Sequence, residues 1–133
     1  MGLVRTKLTL GNPKRPDLNP VEVEALVDTG AVHLCIPERV AIQLELDELE
    51  RRQVTVADGS MHSVPYVGPI VTAFGRRHCY TGAMILGSEV LPGAIPMEDM
   101  DLVIQPLTGE VIPNPRSPNV PASIAMGVRH PQS

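Results

Sequence analysis

The chain has 133 residues, 43% of them hydrophobic and 20% charged, with a formal net charge of −4. Those values predict one globular domain and exclude a wholly disordered chain or two independent cores. With no block of Lys or Arg and only 2% aromatic residues, the chain lacks the basic stripe and stacking surfaces of a nucleic-acid binder.

The first ten residues alternate apolar and polar and carry Arg5 and Lys7, which predicts a strand and not the apolar core of a signal peptide. Met1 to Thr6 formally fits a myristoylation signal, but the pattern is loose and an N-terminal strand is the better reading. No segment approaches a membrane span. Cys35 and Cys79 are too few for a disulfide scaffold, so a reduced, cytoplasmic protein is expected.

After the turn residues Gly11 to Asp17, the stretch Val21–Val27 has period two, placing Val21, Val23, Ala25 and Val27 on one face. It runs straight into Asp28-Thr29-Gly30. One helix is predicted, with Pro37 in its first turn and Ile36, Val40 and Leu44 on one side, ending near Leu46. The acidic run Glu45, Asp47, Glu48 and Glu50, followed by Arg51 and Arg52, reads as the solvated face of that helix end, with strand resuming over 51–57.

Residues 53–57 and 61–67 flank Asp58-Gly59, a preferred pair for a two-residue hairpin turn. A second hairpin is expected over 67–74 and 78–86 around Gly75-Arg76-Arg77. A third is expected over 102–106 and 110–113 around Thr108-Gly109. Pro106 marks a strand end or an edge strand. The domain is expected to span residues 1–113, followed by a Pro-rich, flexible tail over 114–133.

An acidic residue at the end of an apolar strand needs hydrogen-bond partners or exposure, and the Gly that follows Asp28-Thr29 permits a tight turn with N–H groups facing the carboxylate. The segment Leu26-Val27-Asp28-Thr29-Gly30-Ala31 resembles the catalytic motif of the retropepsin-like aspartic proteases, the single-domain relatives of retroviral proteases. Met84-Ile85-Leu86-Gly87 resembles that family's hydrophobic-hydrophobic-Gly motif, with Gly87 following Asp28 by 59 positions. The Asp58-Gly59 hairpin lies between them, where the family has its flap, and Ile36-Pro37-Glu38-Arg39-Val40-Ala41 resembles a helix start in bacterial-type members.

The resemblance implies an all-β acid-protease barrel with one or two short helices. It also implies aspartic endopeptidase activity on polypeptide substrates, with no metal or other cofactor. Catalysis of this kind needs two carboxylates sharing a proton, one activating water and the other polarising the peptide carbonyl. One Asp-Thr-Gly in a chain of this size implies a homodimer with Asp28 beside its symmetry mate on a twofold axis. Asp28, Thr29 and Gly30 are then the catalytic loop, with Thr29 bonding across the dimer and Gly87 packed beneath. Ala31, Asp58, Gly59, Ser60, Met61, Ile85 and Gly87 are the expected flap and substrate-contacting residues. The hairpin over 102–112 is a candidate interface. Pepsin-like enzymes carry Ser at the position of Ala31, where its hydroxyl favours the ionised carboxylate, so Ala31 implies an optimum in mildly acidic to near-neutral conditions.

The sequence departs from the family after Gly87, where Ser88 to Leu91 allows a helical turn before Pro92-Gly93 stops it. The acidic, Pro-rich insertion over 92–101 has no evident chemical role. Pockets lined by aliphatic side chains imply a preference for apolar substrate residues. Duller readings apply elsewhere. Asp58 is turn chemistry, Glu98, Asp99 and Asp101 are a solvated loop, and His62 is a polar flap residue. His33/Cys35 and His78/Cys79 lack zinc-ligand spacing, so the cysteines read as small buried hydrophobes. A dimer on the same fold that binds peptides without cleaving them is the competing class.

Overall fold

In the computed structural model, which describes residues 3–122, the alternating segments become eight strands and two short helices. The chain is all-β, as expected. Met1, Gly2 and residues 123–133 lie outside the described residues, and with them the myristoylation reading and most of the predicted tail.

β1 (Arg5–Gly11) and β2 (Val21–Leu26) form an antiparallel hairpin that sets Leu8 opposite Val23 and Leu10 opposite Val21. β5 (Met61–Phe74) is the spine of the molecule at 14 residues. Along its first part it pairs with β4 (Asp47–Thr55), and along its second with β1 and with β6 (Arg77–Ile85). The sheet order is β2-β1-β5-β6-β3, closed by the short parallel strand β3 (Cys35–Ile36), with β4 on β5 off that path. β7 (Leu102–Ile104) and β8 (Val111–Pro113) make a separate two-stranded sheet, joined through Thr108-Gly109 as predicted.

The predicted helix is α1 (Glu38–Gln43), and Pro37 precedes it as the N-cap instead of lying in its first turn. Val40 and Ala41 are buried on its inner side beside the fully buried Leu44, in a core with Leu8, Leu10, Ile36 and Ile70. Burial of a side chain such as Leu44 or Ile70 contributes about 2 kcal/mol. The helix stops earlier than the acidic run suggests. Glu45 takes a left-handed conformation at φ 51°, its N–H donates to Ile42 O at 3.1 Å, and Leu46 N–H reaches back to Ala41 O at 3.0 Å. That pattern of reverse bonds ends helices, usually on Gly. Asn12 of the β1–β2 loop adds a side-chain bond to Leu44 O at 2.9 Å. Asp47, Glu48 and Glu50 are consequently strand residues of β4, exposed as expected but not helical.

Two further expectations are corrected. The β4–β5 turn is one residue longer than a two-residue Asp-Gly turn. Val56 N–H bonds Ser60 O at 3.0 Å, Gly59 N–H bonds Val56 O at 2.9 Å, and only Gly59 has a positive φ, at 87°. This is the three-residue type of hairpin loop, in which a single left-handed glycine suffices. No helix forms over 88–91, because Leu91 is recruited into a bridge with Cys35. The helix lies instead in the insertion, as α2 (Ala94–Asp99), where Pro96 falls within the first turn and costs no hydrogen bond.

A second buried cluster joins Cys79, Met97, Met100, Leu102 and Val111, tying α2 and the β7–β8 sheet to the main sheet. Arg77, only 5% exposed, donates to Met100 O at 3.1 Å, to Asp101 O at 3.0 Å and to Ser117 O. The Asp101 carboxylate accepts from Ser117 Oγ, from Asn114 Nδ2 at 3.1 Å and from Ala122 N–H at 3.0 Å. Residues 114–122 are thereby bonded to the domain, and Asp101 is a clamp where the sequence suggests a solvated loop. No helix among the described residues is long and apolar enough to cross a membrane.

Candidate active site

Asp28 follows β2 at the point where the strand leaves the sheet. The loop it starts is gripped by residues 90–95. Leu26 N–H donates to Val90 O at 2.9 Å, Asp28 N–H to Pro92 O at 3.3 Å and Cys35 N–H to Leu91 O at 2.9 Å. In return Ala94 and Ile95 donate to the carbonyls of Ala31, at 2.8 Å, and Val32, at 2.9 Å. Gly93 is wedged into this lattice, and a Cβ there would lie 2.6 Å from both Ala31 O and His33 O. The insertion without an evident role in the sequence is thus the bed of the loop.

Held this way, Asp28, Thr29 and Gly30 are exposed together on the surface. The Gly30 N–H donates to Asp28 Oδ1 at 3.0 Å, which orients the carboxylate as the sequence suggests. A Cβ on Gly30 would approach that same oxygen to 3.2 Å. Burial, with a further push from the Asp28 charge, raises the Cys35 thiol above its usual range.

On one side of this loop lies a groove of about 360 Å³. Its floor is apolar, with Cys35, Met84 and Leu86, and the inner side of β4 supplies a wall with Arg52 and Val54. Ala31 and His33 line the near end. On the other side is a depression of about 340 Å³ in which Thr29 meets Met97, Leu102, Val103 and Ile104.

The other expected site residues divide. Asp58, Gly59, Ser60 and Met61 sit at the exposed tip of the β4–β5 hairpin and outside the groove lining. There Asp58 Oδ1 accepts both Ser60 N–H, at 2.8 Å, and Ser60 Oγ, at 2.5 Å. Those bonds, the Ser60 hydroxyl first, hold the Asp58 carboxyl below its usual range, which is turn chemistry. Ser60 Oγ also lies 2.9 Å from His62 Nε2. Ile85 is corrected. Side chains alternate along β6, so Met84 and Leu86 face the groove while Ile85 turns toward α1 and packs on the main core. Gly87 does not pack beneath the loop either. It is exposed, a Cβ there would meet nothing within 4 Å, and its φ of 80° is what calls for glycine.

Sequence reasoning missed Gly93, Arg52 and Tyr66, over whose ring the Arg52 guanidinium lies. Glycine beside proline reads as a breaker, and stacking across strands leaves no local pattern. Cys35 and Cys79 are both free and buried, in separate clusters. Burial, reinforced by a hydrogen bond with Asp99, pushes the Cys79 thiol up to about 12. Among the described residues there is no group of three or more His, Cys, Asp and Glu able to hold a metal ion.

Residues 16–72 match the family described as "gag-polyprotein putative aspartyl protease". That match takes in β2, the Asp28–Gly30 loop and the β4–β5 hairpin, and stops before Met84. Among solved structures the chain is similar to the protease of simian foamy virus (mac), in its solution structure. There it is 14% identical over 69% of this chain and 91% of that one, with a TM-score of 0.45. No curated protein matches.

Proposed function

We propose that the protein is an aspartic endopeptidase that works as a homodimer. The observation that carries this reading is the setting of Asp28. It is an exposed carboxylate oriented by Gly30, on a rigidly bedded loop, beside an apolar groove walled by a hairpin. The match of residues 16–72 to an aspartyl protease family supports it.

Each chain contributes one such carboxylate, and Gly30 is the one hydrogen-bond partner of the Asp28 side chain among the described residues. A second copy supplies the missing half. Paired Asp28 carboxylates carry one proton between them. The ionised one takes a proton from water, whose oxygen attacks the peptide carbonyl carbon, while the protonated one delivers its proton to the carbonyl oxygen. Collapse of the tetrahedral intermediate breaks the C–N bond: the proton taken from water goes to the leaving amine, and one hydroxyl proton of the intermediate returns to the other carboxylate, which restores the shared proton. An extended substrate along the β4 wall gains backbone hydrogen bonds and alternating side-chain pockets. The apolar depression around Thr29, together with Leu107 at 95% exposure in the β7–β8 turn, favours the face containing the β7–β8 sheet as the dimer surface. A cytoplasmic location belongs to the same reading.

The test is incubation of wild type and Asp28→Asn with an unfolded protein mixture at mildly acidic pH, at a concentration where sedimentation gives a dimer. Cleavage by wild type alone, blocked by a transition-state-mimicking inhibitor of aspartic proteases, supports the reading. No cleavage by a dimeric wild type, with peptide binding retained, replaces it with a peptide-binding dimer.

A further inference from the structure

The groove wall carries a charge that the paired-carboxylate chemistry does not use. The guanidinium carbon of Arg52 lies 3.8 Å from the centroid of the Tyr66 ring. That ring rests on Gly82, where a Cβ would come within 2.4 Å of two ring carbons, so only glycine leaves room for it. His33 stands edge-on to the same ring, at 6.3 Å and 74°. Arg52 Nε donates to Glu50 Oε2 at 2.7 Å, which fixes the rotation of the guanidinium plane. Among the described residues, neither Nη1 nor Nη2 has a hydrogen-bond partner. The side chain is 35% exposed, and Arg52 and His33 line the groove together with Val54, Met84 and Leu86.

We infer that Arg52 is a specificity-determining residue. The groove takes an extended polypeptide that offers a Glu or Asp side chain to the free Nη edge of Arg52 and an apolar side chain to the floor. This inference rests on the endopeptidase reading and narrows its substrate class. The planar fork of a guanidinium matches a carboxylate in two parallel N–H···O bonds. Stacking on Tyr66 and the Glu50 bond hold the fork in place beforehand, so little rotamer freedom is lost on binding. A Lys or Arg at the same substrate position meets like charge and is rejected. The purely apolar preference expected from composition gives way to a mixed one, because an arginine that is polar in sequence lies across the groove in the fold.

The test uses end-capped peptides with an apolar centre and Glu, Gln or Lys placed at each flanking position in turn. Cleavage is measured with wild type and equilibrium binding with Asp28→Asn. At one position Glu is expected to exceed Gln by about five- to tenfold, with Lys below both. Arg52→Gln brings the Glu/Gln ratio to near one, Arg52→Lys retains part of it, and Arg51→Gln, outside the groove lining, retains all of it. Cleavage without a Glu preference, or a preference that survives Arg52→Gln, overturns the inference and leaves the endopeptidase reading standing. Absence of cleavage with an Arg52-dependent Glu preference in binding does the reverse. Absence of both cleavage and binding overturns the two together.

Discussion

Gly93 lies so close beneath Ala31 that a single methyl group on it would stand 2.6 Å from the Ala31 carbonyl oxygen. The backbone of Gly93, at φ −89° and ψ −161°, is ordinary extended conformation, so the need for glycine here is purely steric. Gly93→Ala must therefore push residues 92–95 away from the Asp28 loop. We expect a loss of about 2–3 kcal/mol in denaturant unfolding, and amide exchange at Ala94 and Ile95 should speed up more than at β5.

Thr72 gives a change of the opposite sign. It is fully buried near the C-terminal end of β5, between Leu10 and Cys79, and its Oγ1 has no hydrogen-bond partner. Valine has the same shape without the stranded hydroxyl. Thr72→Val should stabilise by about 1 kcal/mol, read as a rise in Tm of roughly 3–5 °C.

Acid stability should depend on the clamp at Asp101. The Ser117 hydroxyl first, then the Ala122 N–H and the Asn114 amide, hold the Asp101 carboxyl below its usual range. A carboxyl lowered in the folded state stabilises above its unfolded value and loses that contribution as pH falls through the folded one. Melting curves from about pH 6 to pH 2 should fall less steeply for Asp101→Asn than for wild type. The Ala122 amide of wild type should lose exchange protection over the same range.

Ala31 allows a test of the catalytic reading itself. It is half-buried at the groove end next to the Asp28 loop, and its N–H already donates to Asp28 O at 3.1 Å. Ala31→Ser adds a hydroxyl that favours the ionised carboxylate, so the acid limb of the rate profile should move to lower pH. A wild-type rate still climbing below about pH 3, beneath the range of a free aspartate, would contradict the role given to Ala31.

Alternation and turn chemistry made the hairpins legible, and Asp28 stood out through its position at the end of an apolar strand together with the resemblance of its loop to a known motif. The end of α1 was not, because it terminates on Glu45, a residue with no local preference for positive φ. Nor was the direction of Ile85, which depends on where β6 enters the sheet. The bed formed by residues 90–95 and the Arg52–Tyr66–Gly82 stack both join segments that are far apart in the chain. Such contacts follow from the close approach of whole strands, and a window of neighbouring residues contains no trace of them.

The sheet order has a consequence for how the molecule opens. β1 and β2 form one local unit, and β4, β5 and β6 form another, each built from neighbours in sequence. The ladder between them is limited to Thr9, Leu10 and Gly11 against Ala73, Thr72 and Val71. This short seam closes a loop of some sixty residues, at a higher entropic cost than either hairpin it joins. It is the hinge line along which two cooperative units can part while each keeps its own hydrogen bonds. Because Leu26 and Asp28, at the end of β2, are also bonded to Val90 and Pro92, such a parting is complete only when the bed of the Asp28 loop gives way as well.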